Sequence, residues 1–330
     1  MLIRYFRSGF FAQHFVSMLV AVVLWLPVFL LKTESASYSG FHPLFDLVNF
    51  PIAVQPMTRM LLAMVLLLVF AFSFSRIASE CGFQLRTATH GILLFILVMT
   101  PAASEGFSPW LASLPFVLAV MYHLLNFYNS KNIVATVFHA SFYAGVAGLF
   151  HFPNLILFPA VFVSLIVSRV DVFKAWLVPF VGFLAPFFFL TAYYFLNDRL
   201  FTAWSDFLSH LHATELLMPS AGFLEWLAVA VLAVLTITAF SWTTGPSGDY
   251  SIVMRKRNSI LIILVFTFII IQFMGRNMPL NSGLAWIVPS VFIVNYFSHT
   301  RRIKMANFML IALFLLVLIQ RFIPFFLWLR

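Results

Sequence analysis

Three carboxylates, Glu34, Asp46 and Glu105, fall in loops that follow apolar runs, at the level where the chain would leave a hydrocarbon layer. A carboxylate held at such a boundary can act as a general base or help to ligate a metal. Three arginines, Arg59, Arg199 and Arg276, sit at the same level of the alternation between apolar runs and loops. A planar guanidinium grips phosphate through a two-pronged hydrogen bond. His151, at the end of a further apolar run, adds an imidazole that can change charge near neutral pH. The residue types point to chemistry on a phosphate-bearing molecule at a membrane surface, with the carboxylates catalytic and Arg59, Arg199, Arg276 and His151 binding. A plainer reading fits the same spacing: loop charges, and anchors whose long stems lie along apolar surface. The polar turn Gly275-Arg276-Asn277 likewise reads either as an anion site or as a hydrated connector.

His123 and His139 fall inside two adjacent apolar runs, and an ionisable group at membrane depth is a functional hypothesis by default. His139 is expected to be buried and bonded to a neighbouring helix. No His-x-x-x-His pair and no carboxylate at ligand spacing supports a metal site. Cys81 is the only cysteine, so an intrachain disulfide is excluded. The residues name no cofactor.

The elements that must position these groups follow from composition. Of 330 residues, 63% are hydrophobic and 9% charged, against roughly 25% charged in an ordinary soluble domain. A soluble chain of this length could not cover itself with so few polar groups. The solvent is therefore lipid, and the expected fold is an all-α polytopic bundle. Eleven apolar windows near the length of a bilayer crossing run from 12–32 to 306–325. The third, ninth and tenth, at 88–104, 259–274 and 284–299, are short enough to be partly buried helices that never meet lipid on all sides.

The net charge of +9 would suit nucleic acid only if the bases were clustered. They are scattered between apolar runs instead, so no nucleic-acid partner is expected. With the N-terminus in the cytoplasm, the bases outside are Lys32, Arg59, Arg199, Arg276, Arg321 and Arg330, and all the others fall inside. That bias obeys the positive-inside rule and sets the expected orientation.

Two outer loops carry interfacial patterns. Leu200, Phe201, Trp204, Phe207, Leu208 and Leu211 make one helical face opposite Arg199, Asp206 and His210, as in a helix lying in the headgroup plane. A briefer version, Phe41 to Val48, is interrupted by Asp46 and closed by Pro51. Residues 243–258, with Gly245-Pro246-Ser247-Gly248, read as a cytoplasmic linker between an eight-span region, 1–242, and a three-span region, 259–330. Gly145 and Gly148, with Ala144 and Ala147, form a small-residue stripe for close helix contact. Pro153, Pro159, Pro179 and Pro186 are placed to kink two spans and open a lateral cavity.

Ser130-Lys131, the blocks FHASF at 138–142, GVAGLFHFP at 145–153 and WLVPFVG at 176–182, PLFDL at 43–47, and IVPSVFIVNYF at 287–297 resemble an uncharacterised family of Bacteroidota polytopic inner-membrane proteins. That resemblance spans most of the chain and implies a multi-pass protein of a bacterial envelope. More distantly, the chain is similar to multispan glycosyltransferases that use polyprenyl-phosphate sugars. Their acidic residue in an external loop after the first span matches Glu34 or Asp46, and their Gly- and Leu-rich core run matches Gly145 to Pro159. The chain departs from them in lacking a paired Asp-Glu signature and an external soluble domain. The expected role is cell-envelope biogenesis, binding a polyprenyl-phosphate-linked substrate among membrane lipids at the periplasmic face. The alternatives are a non-catalytic subunit with protein partners in a larger membrane complex, and a lipid flippase or transporter.

Overall fold

The computed structural model describes residues 2–7, 11–31, 41–49, 56–85, 87–103, 106–212, 222–244, 251–274 and 283–328. Its elements are helical throughout these residues: α1 Leu2–Phe6, α2 Phe11–Leu31, α3 Pro43–Asn49, α4 Pro56–Glu80, α5 His90–Ala103, α6 Pro109–Leu125, α7 Ile133–Phe150, α8 Leu157–Ser168, α9 Lys174–Leu196, α10 Leu200–His212, α11 Phe223–Thr244, α12 Ile252–Met274, α13 Gly283–His299 and α14 Ile303–Trp328. Seven of them are long and apolar enough to cross a bilayer, and four shorter apolar helices pack among these. The molecule is an all-α bundle of a multi-pass membrane protein.

The solvent is legible on the helix faces. Phe188 and Phe189 on α9 are 70% and 68% exposed, a surface that only hydrocarbon would favour. The short helices lie inside. Every residue of α5 but Pro101 is buried, as is every residue of α13 from Ile287 to Ser298. A helix enclosed by protein need not match the thickness of lipid, which explains the short windows at 88–104 and 284–299. Their backbones are stitched by polar side chains: the His90 ring nitrogen Nε2 lies 3.2 Å from the Val294 carbonyl and 2.9 Å from Ser298 Oγ.

The small-residue stripe does what its spacing predicts. A Cβ on Gly145 would come within 2.7 Å of the Phe183 carbonyl and of Pro186, and one on Gly182 within 2.7 Å of the Phe138 carbonyl. α7 and α9 therefore cross where each gives up a side chain, and backbone meets backbone.

Two expectations are corrected. α12 starts at Ile252, so Arg255, Lys256 and Arg257 belong to a helix that outruns the short window at 259–274, not to a linker. They are tolerated there because two of them have carbonyls to bond. His139 is exposed on α7. Its companions are aromatic, with the His123 ring 5.3 Å and the Tyr143 ring 6.5 Å away between centroids.

One end of the bundle is held together by bases. Arg257 Nε donates to the Leu125 carbonyl at 3.0 Å, Nη1 to the Cys81 carbonyl at 2.8 Å and Nη2 to Asn126 Oδ1 at 2.9 Å. Lys256 Nζ donates to the Ser168 carbonyl at 2.8 Å, and Arg7 Nη2 to the Phe297 and Thr300 carbonyls at 2.6 and 3.0 Å. These acceptors lie at the C-terminal ends of α4, α6, α8 and α13, where carbonyls lack helical partners and the helix dipole is negative. We call this the basic end. α3 and α10 lie at the opposite end.

Candidate functional site

At that opposite end, α3 is built to present its first residues. Phe45 is buried against Phe107, with ring centroids 5.3 Å apart, and packs with Leu62, Leu66 and Phe150. Beneath it, Arg59 Nη2 donates to the Phe107 carbonyl at 3.1 Å. His42 precedes the helix, and its carbonyl accepts from the Asp46 amide at 2.9 Å. Anchored at Phe45, α3 stacks the His42 ring on His151, centroids 5.7 Å apart and planes 21° from parallel.

α7 stops at Phe150, one residue before the end of its apolar window, which leaves His151 in the connection to α8. The His151 amide donates back to the Ala147 carbonyl at 2.9 Å, and its own carbonyl accepts from Asn154. Asn154 in turn donates to Ser113 Oγ at 2.8 Å, so the connection is fixed from below. The imidazole is 5% exposed, and neither ring nitrogen has a hydrogen-bond partner among the described residues. Burial, and then the neighbouring His42, hold its pKa well below the usual histidine value. Burial therefore favours the neutral imidazole.

Beside this pair opens a cavity of about 220 Å³. α10 roofs it with Ala203, Trp204 and Phe207, and α9 walls it with Phe187, Leu190 and Tyr194. Phe41 and Phe152, which flank the two histidines, complete it. Phe207 is the clasp, 5.4 Å from Phe41, 6.0 Å from Phe152 and 5.6 Å from Trp204 between ring centroids. The lining is apolar except at Thr191 and Tyr194. Asp46, Asp206 and Arg199 are close enough to Tyr194 to act on it electrostatically. The first wall residue on α9, Phe187, directly follows Pro186.

The structure thus brings Asp46, Arg199 and His151 near one cavity, though none of them lines it. Asp46 and Arg199 are exposed, whereas Arg59 is buried and engaged with backbone. Glu34, Glu105 and Arg276 lie outside the described residues. His42 and Tyr194 were not singled out by sequence: a histidine before a proline, and a tyrosine in an aromatic run, carry no spacing signal. Among the described residues no three His, Cys, Asp or Glu side chains converge to hold a metal. The arrangement can take an apolar chain under α10, with Thr191 and Tyr194 on the lining and the exposed charges of Asp46 and Arg199 near Tyr194.

No protein-family model, curated protein or solved structure matches this chain.

Proposed function

We propose that the chain is a bacterial inner-membrane protein of cell-envelope biogenesis that binds a polyprenyl-phosphate-linked lipid at the periplasmic face. The observation that carries this reading is the apolar cavity under α10 with Asp46, Arg199 and the stacked His42–His151 pair beside it. At about 220 Å³ the cavity is smaller than the roughly 300–1,000 Å³ of a drug-sized ligand site. It admits one end of a hydrocarbon chain, and the rest of that chain lies in the bilayer. The basic end faces the cytoplasm in this reading, as the charge bias of the loops supports. In the glycosyltransferase-like version, Asp46 is the general base and Arg199 pairs with the phosphate.

The test is photolabelling of the protein in nanodiscs with a diazirine-bearing long-chain polyprenyl phosphate. Ala203→Trp fills the cavity and should lower labelling about tenfold, the equivalent of 1.4 kcal/mol. Unlabelled polyprenyl phosphate should compete, and phosphatidylglycerol should not. Equal labelling of the variant, or equal competition by both lipids, would remove the proposal.

One observation favours a second reading, a subunit of a larger membrane complex. His139 lies six residues into α7 from Ile133, about 9 Å by helical rise, and is exposed at that depth. A polar group facing hydrocarbon is costly, and a helix from a protein partner would cover it.

A further inference from the structure

At the basic end, α11, α13 and α14 line a second, open cavity of about 760 Å³, far from the one under α10 in both position and character. Arg301 and Arg302 line it from the turn between α13 and α14, with Trp242 and Ser241 on α11 and Tyr296 and His299 on α13. We propose that it binds a phosphate ester whose organic part carries hydroxyl groups.

The bases here differ from their neighbours. Arg7, Lys256 and Arg257 donate to main-chain carbonyls and so close helix ends. Arg301 and Arg302 are exposed, and no described acid pairs with either. The positive-inside rule accounts for charge at this end. It does not account for two adjacent guanidiniums opening into a cavity.

The turn that presents them is held in place. Arg7 grips the carbonyls of Phe297 and Thr300. Thr300 is 2% exposed, and its Oγ1 accepts from the Arg302 amide at 3.1 Å. With the turn's backbone fixed beforehand, only the two side chains remain to be ordered on binding an anion, and guanidiniums suit phosphate through paired donors.

The opposite wall suits the organic part. Thr238 and Ser241 donate their hydroxyl protons within α11, to the Leu235 and Thr238 carbonyls at 2.8 and 3.0 Å. Facing the cavity they therefore accept, which matches hydroxyl donors on a ligand. Trp242 stacks on His299 at 6.4 Å between ring centroids and meets Tyr296 edge-on at 5.9 Å. His299 Nδ1 lies 3.1 Å from the Asn295 carbonyl, an acceptor only, so Nδ1 is the donor and Nε2 is left for the cavity. The ligand could come from two sources with this same chemistry: the glycerol-phosphate headgroup of an anionic lipid, or a soluble glycerol-phosphate-like ester.

Equilibrium dialysis of radiolabelled glycerol 3-phosphate against the protein in phosphatidylcholine nanodiscs tests the soluble source. Native mass spectrometry of phosphatidylglycerol retained from mixed nanodiscs tests the lipid source. Either probe should bind the wild type at least about tenfold more tightly than the Arg301→Gln/Arg302→Gln variant. Lys304→Gln removes a neighbouring exposed charge that does not line the cavity, and should bind as the wild type does. Ser241→Trp keeps every charge but fills the space, and should also lose binding, so the result does not hang on one variant folding. Binding of neither probe overturns the proposal. So does full binding by Ser241→Trp, or equal loss in Lys304→Gln and the double arginine variant, which would mark a diffuse basic surface.

Discussion

The rings of His42 and His151 stack 5.7 Å apart between centroids, joining the residue that precedes α3 to the residue that follows α7. The contact ties the short helix α3 to the bundle at the edge of the cavity under α10. Burial of His151, and after it this contact, also disfavours the charged imidazole. With His151 buried and facing His42, the folded chain resists a proton that the unfolded chain accepts near pH 6.5. Below that pH the unfolded state binds more protons, so stability falls as pH falls, by at most about 1.4 kcal/mol per pH unit from this group. Thermal melts in detergent from pH 8 to 5.5 should show a steeper acid loss for the wild type than for His151→Gln. Identical slopes would mean that the imidazole is hydrated and the site open.

Arg257 joins α12 to the ends of α4 and α6 through three acceptors. Arg257→Gln leaves buried carbonyls unmet at a low-dielectric position, a cost of about 3 kcal/mol. Arg257→Lys should recover only part of it, because an ammonium is a point charge and cannot hold the fork of acceptors at once. Unfolding of the purified variants in detergent measures this, and a loss below about 0.5 kcal/mol would show that lipid headgroups or water satisfy the same carbonyls.

Cys81 is fully buried just past the end of α4, and burial pushes its thiol pKa up to about 11. Only about one molecule in ten thousand is then thiolate at pH 7. Native protein should resist maleimide, which makes the wild type its own cysteine-free background. In intact cells a membrane-impermeant maleimide should label Asp206→Cys, near the cavity under α10, and leave Lys131→Cys, at the basic end, untouched. Equal labelling at both positions would reverse or abolish the orientation proposed.

Much of this molecule is written in its composition. A chain that is 63% hydrophobic and 9% charged cannot cover a soluble surface, so helices in lipid follow from local hydropathy alone. The stripe around Gly145 and the amphipathic face of α10 are also local, since each repeats within a few turns of one helix. Partners are not local. Sequence reads Arg59, Arg199, Arg7 and Arg257 alike as charges in loops or linkers between apolar runs. Tertiary packing alone decided that Arg59, Arg7 and Arg257 bond carbonyls while Arg199 stays exposed. It alone set His42 on His151, left His139 exposed and opened a cavity beside Arg301 and Arg302. The reason is physical: hydropathy depends on each residue's own transfer from water, whereas a hydrogen bond or a cavity depends on which distant backbone the fold brings within 3 Å.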